Sequence, residues 1–113
     1  MSGITTHVLD TARGLPASGV PVTLSFQFKS DWQELSKTVT NNDGRAPNLM
    51  PKNGKLAAGI YRITFDTAVY YHSINVNGFY PSVTVMFEIV NPDQHHHVPL
   101  LLSPFGYSTY RGS

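Results

Sequence analysis

Three stretches of this chain alternate apolar and polar residues with a period of two, and that pattern narrows the fold class before any composition is counted. In 20–28, Val20, Val22, Leu24, Phe26 and Phe28 alternate with Pro21, Thr23, Ser25 and Gln27. In 60–66, Tyr61, Ile63 and Phe65 alternate with Arg62, Thr64 and Asp66. In 83–90, Val83, Val85, Phe87 and Ile89 take one face, and Thr84, Met86 and Glu88 the other. Side chains at i and i+2 share one face of a pleated strand, so each stretch reads as a half-buried strand. Residues 32–40 predict a weaker, edge-like strand. Residues 4–9, 95–103 and 107–111 are further strand candidates, rich in β-branched, aromatic or other apolar types.

Breakers divide these stretches. Gly14, Pro16 and Gly19 separate the first two strands, and Asn41, Asn42, Asp43 and Gly44 form a turn. Pro47–Gly59 reads as a loop, and Pro92 and Asp93 close a strand. One short helix is expected at Thr67–Ile74, with Asp66 or Thr67 as N-cap. About seven or eight short strands with regular turns predict an all-β sandwich.

The chain has 113 residues, which suits a single domain, 1–113. Charged residues make up 13% and the net charge is +1. Nucleic-acid-binding domains are typically strongly basic, so no nucleic-acid partner is expected. Disordered chains combine low hydrophobicity with high net charge, which this chain does not. Its sparse charge suggests that some apolar surface is hidden in an oligomer. There is no cysteine, which excludes disulfides, thiolate nucleophiles and cysteine metal sites. No apolar run approaches the roughly 18 residues of a membrane span, so no membrane partner is expected. Residues 1–9 lack the basic start and apolar core of a signal peptide, and a cytoplasmic location is expected.

Three of the five histidines are consecutive: His95, His96 and His97. In a strand, His96 joins Val98, Leu100 and Leu102, while His95 and His97 join Pro99 and Leu101. The first set is the more apolar and is assigned to the core, so His97 projects outward. In 4–9, Ile4, Thr6 and Val8 form one face. If they face the core, His7 projects outward with Thr5 and Leu9. The outward histidines admit three readings: surface imidazoles, zinc ligands (His95, His97 and His7) or acid–base groups suited to neutral pH. Arg45 closes the turn Asn42-Asp43-Gly44-Arg45. It is either a solvated turn residue or a planar fork of donors for a carbonyl-rich or anionic ligand. No serine lies in a nucleophile-elbow context.

Three segments carry a family resemblance: Ile4-Thr5-Thr6-His7-Val8-Leu9-Asp10, Thr40-Asn41-Asn42-Asp43-Gly44-Arg45, and the tail HHHVPLLLSPFGYSTYRGS from His95 to Ser113. The tail resembles the signature of 5-hydroxyisourate hydrolases, the transthyretin-related proteins. Its terminal YRGS separates these enzymes from the hormone-carrying transthyretins. The resemblance covers nearly the whole chain, including GIYRITFDT and FYPSVTV. It implies a transthyretin-like sandwich of two four-stranded sheets, with one short helix after the fifth strand. It also implies a homotetramer with active sites in channels where dimers meet. The first and seventh strands are then neighbours, and His7 and His97 face one channel.

The implied catalytic residues are His7, Arg45, His97 and Ser113, with Arg111 and Tyr110 binding substrate and neither metal nor cofactor required. The implied reaction opens the ring of 5-hydroxyisourate to 2-oxo-4-hydroxy-4-carboxy-5-ureidoimidazoline. His7 or His97 is the water-activating base, the choice left open. Relatives usually carry Tyr or Phe at the position of His96. Because that side chain is assigned to the core face, little catalytic effect is expected. Relatives occur in cytoplasm, periplasm and peroxisome. The rival reading is a transthyretin-like carrier of a small aromatic ligand in the same channel. A carrier channel for an apolar ligand should be mostly apolar, so the polar set favours catalysis. A module used only for protein–protein contact would not need the YRGS ending.

Overall fold

The computed structural model describes residues 3–50 and 55–113. Along it run β1 (Gly3–Asp10), β2 (Leu15–Pro16), β3 (Pro21–Phe28), β4 (Asp31–Val39), β5 (Gly59–Phe65), α1 (Thr67–Ser73), β6 (Val83–Ile89), β7 (His95–Ser103) and β8 (Gly106–Thr109). They form two four-stranded sheets, ordered β2-β1-β7-β8 and β4-β3-β5-β6. The alternating residues explain why these sheets stack. Val22, Leu24, Tyr61, Ile63, Phe65, Val83, Val85 and Ile89 from the second sheet join Ile4, Val8, Val98, Leu100 and Leu102 from the first in one buried core. The expected architecture and its one helix after the fifth strand are present. No described helix is long and apolar enough to cross a membrane.

The helix starts where the sequence supplies a cap. Asp66 accepts from the Val69 amide, and the Thr67 hydroxyl donates to the Tyr80 carbonyl at 2.6 Å. Tyr70 and Tyr71 pack into the core. The Tyr70 hydroxyl donates at 2.6 Å to Asp10, a carboxylate buried at the end of β1. Asp10 also accepts from the amides of Ala12 and Arg13, each at 3.1 Å. One buried carboxylate therefore fixes the exit from β1 and ties the helix to the first sheet.

Several details differ from the sequence reading. Pro16, expected to separate strands, lies with Leu15 in a two-residue strand antiparallel to the end of β1. The strand is at a sheet edge, where a missing N–H is tolerated. Phe28, expected to share the buried face, is 56% exposed. It adjoins the tight turn at Lys29 and Ser30, both with positive φ, so the end of β3 lies beyond the core. The last strand ends at Thr109 rather than continuing to 111. Of the loop expected at Pro47–Gly59, residues 51–54 lie outside the described residues, and Gly59 already belongs to β5.

Candidate active site

The site rests on a parallel pairing that periodicity alone could not supply. Strands β1 and β7 are neighbours, in a register that sets Gly3 against His95, Thr5 against His97 and His7 against Pro99. Outward residues of both strands therefore fall in one patch. The Thr5 hydroxyl lies 2.8 Å from His97 Nδ1 and 2.9 Å from His95 Nε2, hydrogen-bonded to both rings.

The turn before Arg45 delivers that residue to the same patch. The Asn41 side-chain oxygen accepts from the amides of Asp43 (3.0 Å) and Arg45 (3.1 Å), closing the loop on itself. The Gly44 carbonyl then accepts from the Val8 amide at 2.8 Å, and Arg45 forms a bridge with His7. Gly44 has φ +77°, and a Cβ there would strike the Val8 carbonyl, so glycine is needed for this approach. At the other end of the chain, the Gly112 amide donates to the His97 carbonyl at 2.8 Å. A Cβ at Gly112 would come within 2.6 Å of His97 Cδ2, so this glycine lets the tail lie against the imidazole. Ser113 is thereby brought to the patch.

Together Thr5, Asn41, Arg45, His95, His97 and Ser113 border an open pocket of about 660 Å³. Burial and then the positive charges of Arg45, His7 and His95 hold the His97 imidazole below its ordinary pKa. It is therefore neutral at pH 7 and able to accept a proton. His7 stands beside the pocket rather than in its lining. Its Nε2 lies 2.7 Å from the Asp43 carbonyl oxygen. A carbonyl only accepts, so His7 Nε2 carries a proton and the neutral ring offers only Nδ1 as a base.

Of the residues singled out from sequence, Arg45, His97 and Ser113 share one pocket, with His7 at its side. Arg111 and Tyr110 do not join them. They border a smaller pocket of about 210 Å³, with Val85, Phe87, His96 and Val98. Arg111 Nη2 donates to the Gln94 side chain at 3.2 Å. His96 faces inward as expected, 5% exposed, and burial followed by the nearby Arg111 charge lowers its pKa. Thr5 and the part of His95 were missed. The signal that finds them is the β1–β7 register, which sequence periodicity does not carry. Among the described residues, no group of three or more His, Cys, Asp or Glu side chains is arranged to hold a metal ion.

The arrangement can therefore move a proton at a neutral imidazole and hold oxygen atoms with a guanidinium and a hydroxyl. Comparison with known proteins identifies the family. The HIUase/Transthyretin family model matches residues 4–112. The 5-hydroxyisourate hydrolase of Mus musculus is 47% identical over 114 residues, covering 99% of this chain and 96% of the mouse protein. The solved structure of Klebsiella pneumoniae 5-hydroxyisourate hydrolase superposes with a TM-score of 0.84 at 34% identity, over 97% of this chain and 98% of that one. Sea bream transthyretin in complex with thyroxine superposes with a TM-score of 0.89 at 30% identity, over 96% of this chain and 93% of that one. The sandwich is thus transthyretin-like, and with a family match from the first core residue of β1 to the glycine against His97, this chain belongs to the HIUase/Transthyretin family.

Proposed function

We propose that the chain is a 5-hydroxyisourate hydrolase, opening the substrate ring by attack of water on a cyclic amide C–N bond. The observation that carries this reading is the convergence of Arg45, His97 and Ser113 on one pocket, with His7 beside it. Attacking water must lose a proton and the leaving nitrogen must gain one, and a neutral imidazole does both near pH 7. Arg45 and Ser113 lie where they can donate to the substrate oxygens. One well-placed donor to a developing oxyanion is worth about 3–4 kcal/mol. A carrier of an apolar aromatic ligand accounts less well for a lining of imidazole, guanidinium and hydroxyl groups.

The proposal extends to assembly. Strands β6 and β8 each lie at one edge of their sheets, with β4 and β2 at the opposite edges. Met86, Tyr107 and Tyr110 are exposed on and beside them. Unpaired edges with apolar side chains favour pairing with another chain. A homotetramer whose pockets face a channel between copies would bring the tails of different copies together there. It is through such assembly that Arg111 and Tyr110 are proposed to reach substrate. A cytoplasmic location completes the reading.

The direct test generates 5-hydroxyisourate with urate oxidase and follows its ultraviolet decay with and without the protein. Acceleration at neutral pH is expected, and its absence sinks the enzyme reading. Sedimentation should give the mass of four copies.

A further inference from the structure

The Thr5 hydroxyl has a single proton and two imidazole nitrogens within hydrogen-bond distance, His97 Nδ1 at 2.8 Å and His95 Nε2 at 2.9 Å. It can donate to one ring only, and it must accept from the other for both contacts to be hydrogen bonds. Two arrangements satisfy all three groups. In one, His97 Nδ1–H donates to Thr5 and Thr5 donates to His95 Nε2. His97 Nε2 then holds a lone pair. In the other, every proton is reversed, and His97 Nε2 carries hydrogen. The state of His97 is thus tied to that of His95 through one hydroxyl.

We propose that Thr5 is the positioning residue for His97, with His95 behind it: the hydroxyl accepts a hydrogen bond from His97 Nδ1–H and donates its own to His95 Nε2, keeping His97 Nε2 as the base. The proposal deepens the hydrolase reading and rests on it for the catalytic consequence. Burial and the positive charge of Arg45 oppose protonation of the His97 ring, so one of its two nitrogens stays bare and able to act as base. His95 is exposed, so it can take either tautomer at little cost. When His97 Nε2 takes a proton from water, the Nδ1–H bond to Thr5 is already made and steadies the imidazolium. No net transfer to His95 is needed.

The test reads the tautomer and the rate separately. Protein labelled with ¹⁵N-histidine is examined by long-range proton–nitrogen correlation at about pH 8, above the ordinary imidazole pKa of about 6.5. Wild type should hold the His97 proton on Nδ1. Thr5→Val, which keeps the shape and removes the hydroxyl, should move it to Nε2. The same change should lower kcat for 5-hydroxyisourate about 10²-fold while KM changes little. Thr5→Ser should restore both signals, and His95→Phe should shift them in the direction of Thr5→Val. Thr5→Ala serves if the valine variant does not fold. A Thr5→Val or Thr5→Ala protein with the wild-type tautomer and kcat overturns the proposal. So does failure of serine to restore the tautomer, since packing of the methyl would then be the cause. If wild type is inactive on 5-hydroxyisourate, the hydrolase reading falls while the spectra still decide the role of Thr5.

Discussion

The two faces of the β1–β7 pair are built from alternate residues of the same strands, yet they work by different physics. The inner face carries Ile4, Thr6, Val8, Val98, Leu100 and Leu102, all buried. Among its polar groups, the Thr6 hydroxyl is met locally, donating to the Val98 carbonyl at 2.6 Å. The outer face carries Thr5, His7, His95 and His97, none of them buried; Thr5 is hydrogen-bonded to His95 and His97, and His7 to the Asp43 carbonyl. Adjacent histidines show the contrast most directly. His96 is buried with Nδ1 unpartnered among the described residues, whereas Nδ1 of His97 is held by Thr5 beside a pocket that also holds Arg45. Burial lowers the pKa of both rings, but only His97 is placed where a lowered pKa serves chemistry. The inner face depends on volume and the outer face on the placement of single atoms.

Substitutions on the two faces should therefore fail in opposite ways, and the largest effects belong to the outer one. His97→Asn and Arg45→Ala should each reduce kcat/KM by about 10²–10⁴-fold, with the unfolding midpoint nearly unchanged. Leu100→Ala on the inner face should cost about 2–5 kcal/mol of stability through lost burial and a residual cavity. Its folded fraction should remain active. Urea unfolding and the ultraviolet assay on the same samples separate the outcomes. The contrast breaks if either outer variant loses stability comparable to Leu100→Ala, or keeps near-native activity.

Much of the inner face was legible because burial is written in alternation. Val98, Leu100 and Leu102 put His96 inside and His97 outside, and Ile4 and Val8 turned His7 outward, as the structure has it. The helix was legible from the apolar run after Asp66, its cap. Strand β2 was not, because two residues carry no period and Pro16 reads as a breaker. The site was legible as residue types rather than as a place. Its assembly needs β1 beside β7, a pairing between residues some 90 positions apart, as with Thr5 and His95. Family resemblance supplied that neighbourhood, but the register that makes Thr5 a partner of two histidines follows only from the backbone. Arg111 and Tyr110 were grouped with the site by the same resemblance. Within one chain they border the smaller pocket, because the tail continues alongside β7 in the register of β8, Gly112 against His97, which sets Arg111 level with the inward Val98.

Asp10 tests the comparison at the end of β1, where a charged group sits on the inner face. It is tolerated because the Tyr70 hydroxyl and the amides of Ala12 and Arg13 satisfy it. Tyr70→Phe should cost about 1–3 kcal/mol by removing one of those donors from a buried acceptor. Activity per folded molecule should be unchanged, since Asp10 lies outside the His97 pocket. A variant that loses activity without losing stability would mean that this network communicates with the outer face.

The smallest effect concerns the imidazole placed on the packing side. Burial, and after it the charge of Arg111, lowers the folded pKa of His96, while the unfolded chain should show the ordinary value of about 6.5. Below that pH the unfolded state binds a proton that the folded state resists, so stability falls as pH falls. Above it His96 makes its full contribution. His97 acts with the same sign, so wild type should weaken as pH falls below about 6.5, with a slope to which each ring adds at most about 1.4 kcal/mol per pH unit. His96→Phe removes one of the two contributions, along with a buried nitrogen that has no partner among the described residues. Urea midpoints on either side of pH 6.5 should show a shallower slope for the variant, with kcat at neutral pH unchanged. An unchanged slope would show that His96 binds its proton equally in both states, and a lost kcat that the two faces are coupled through β7.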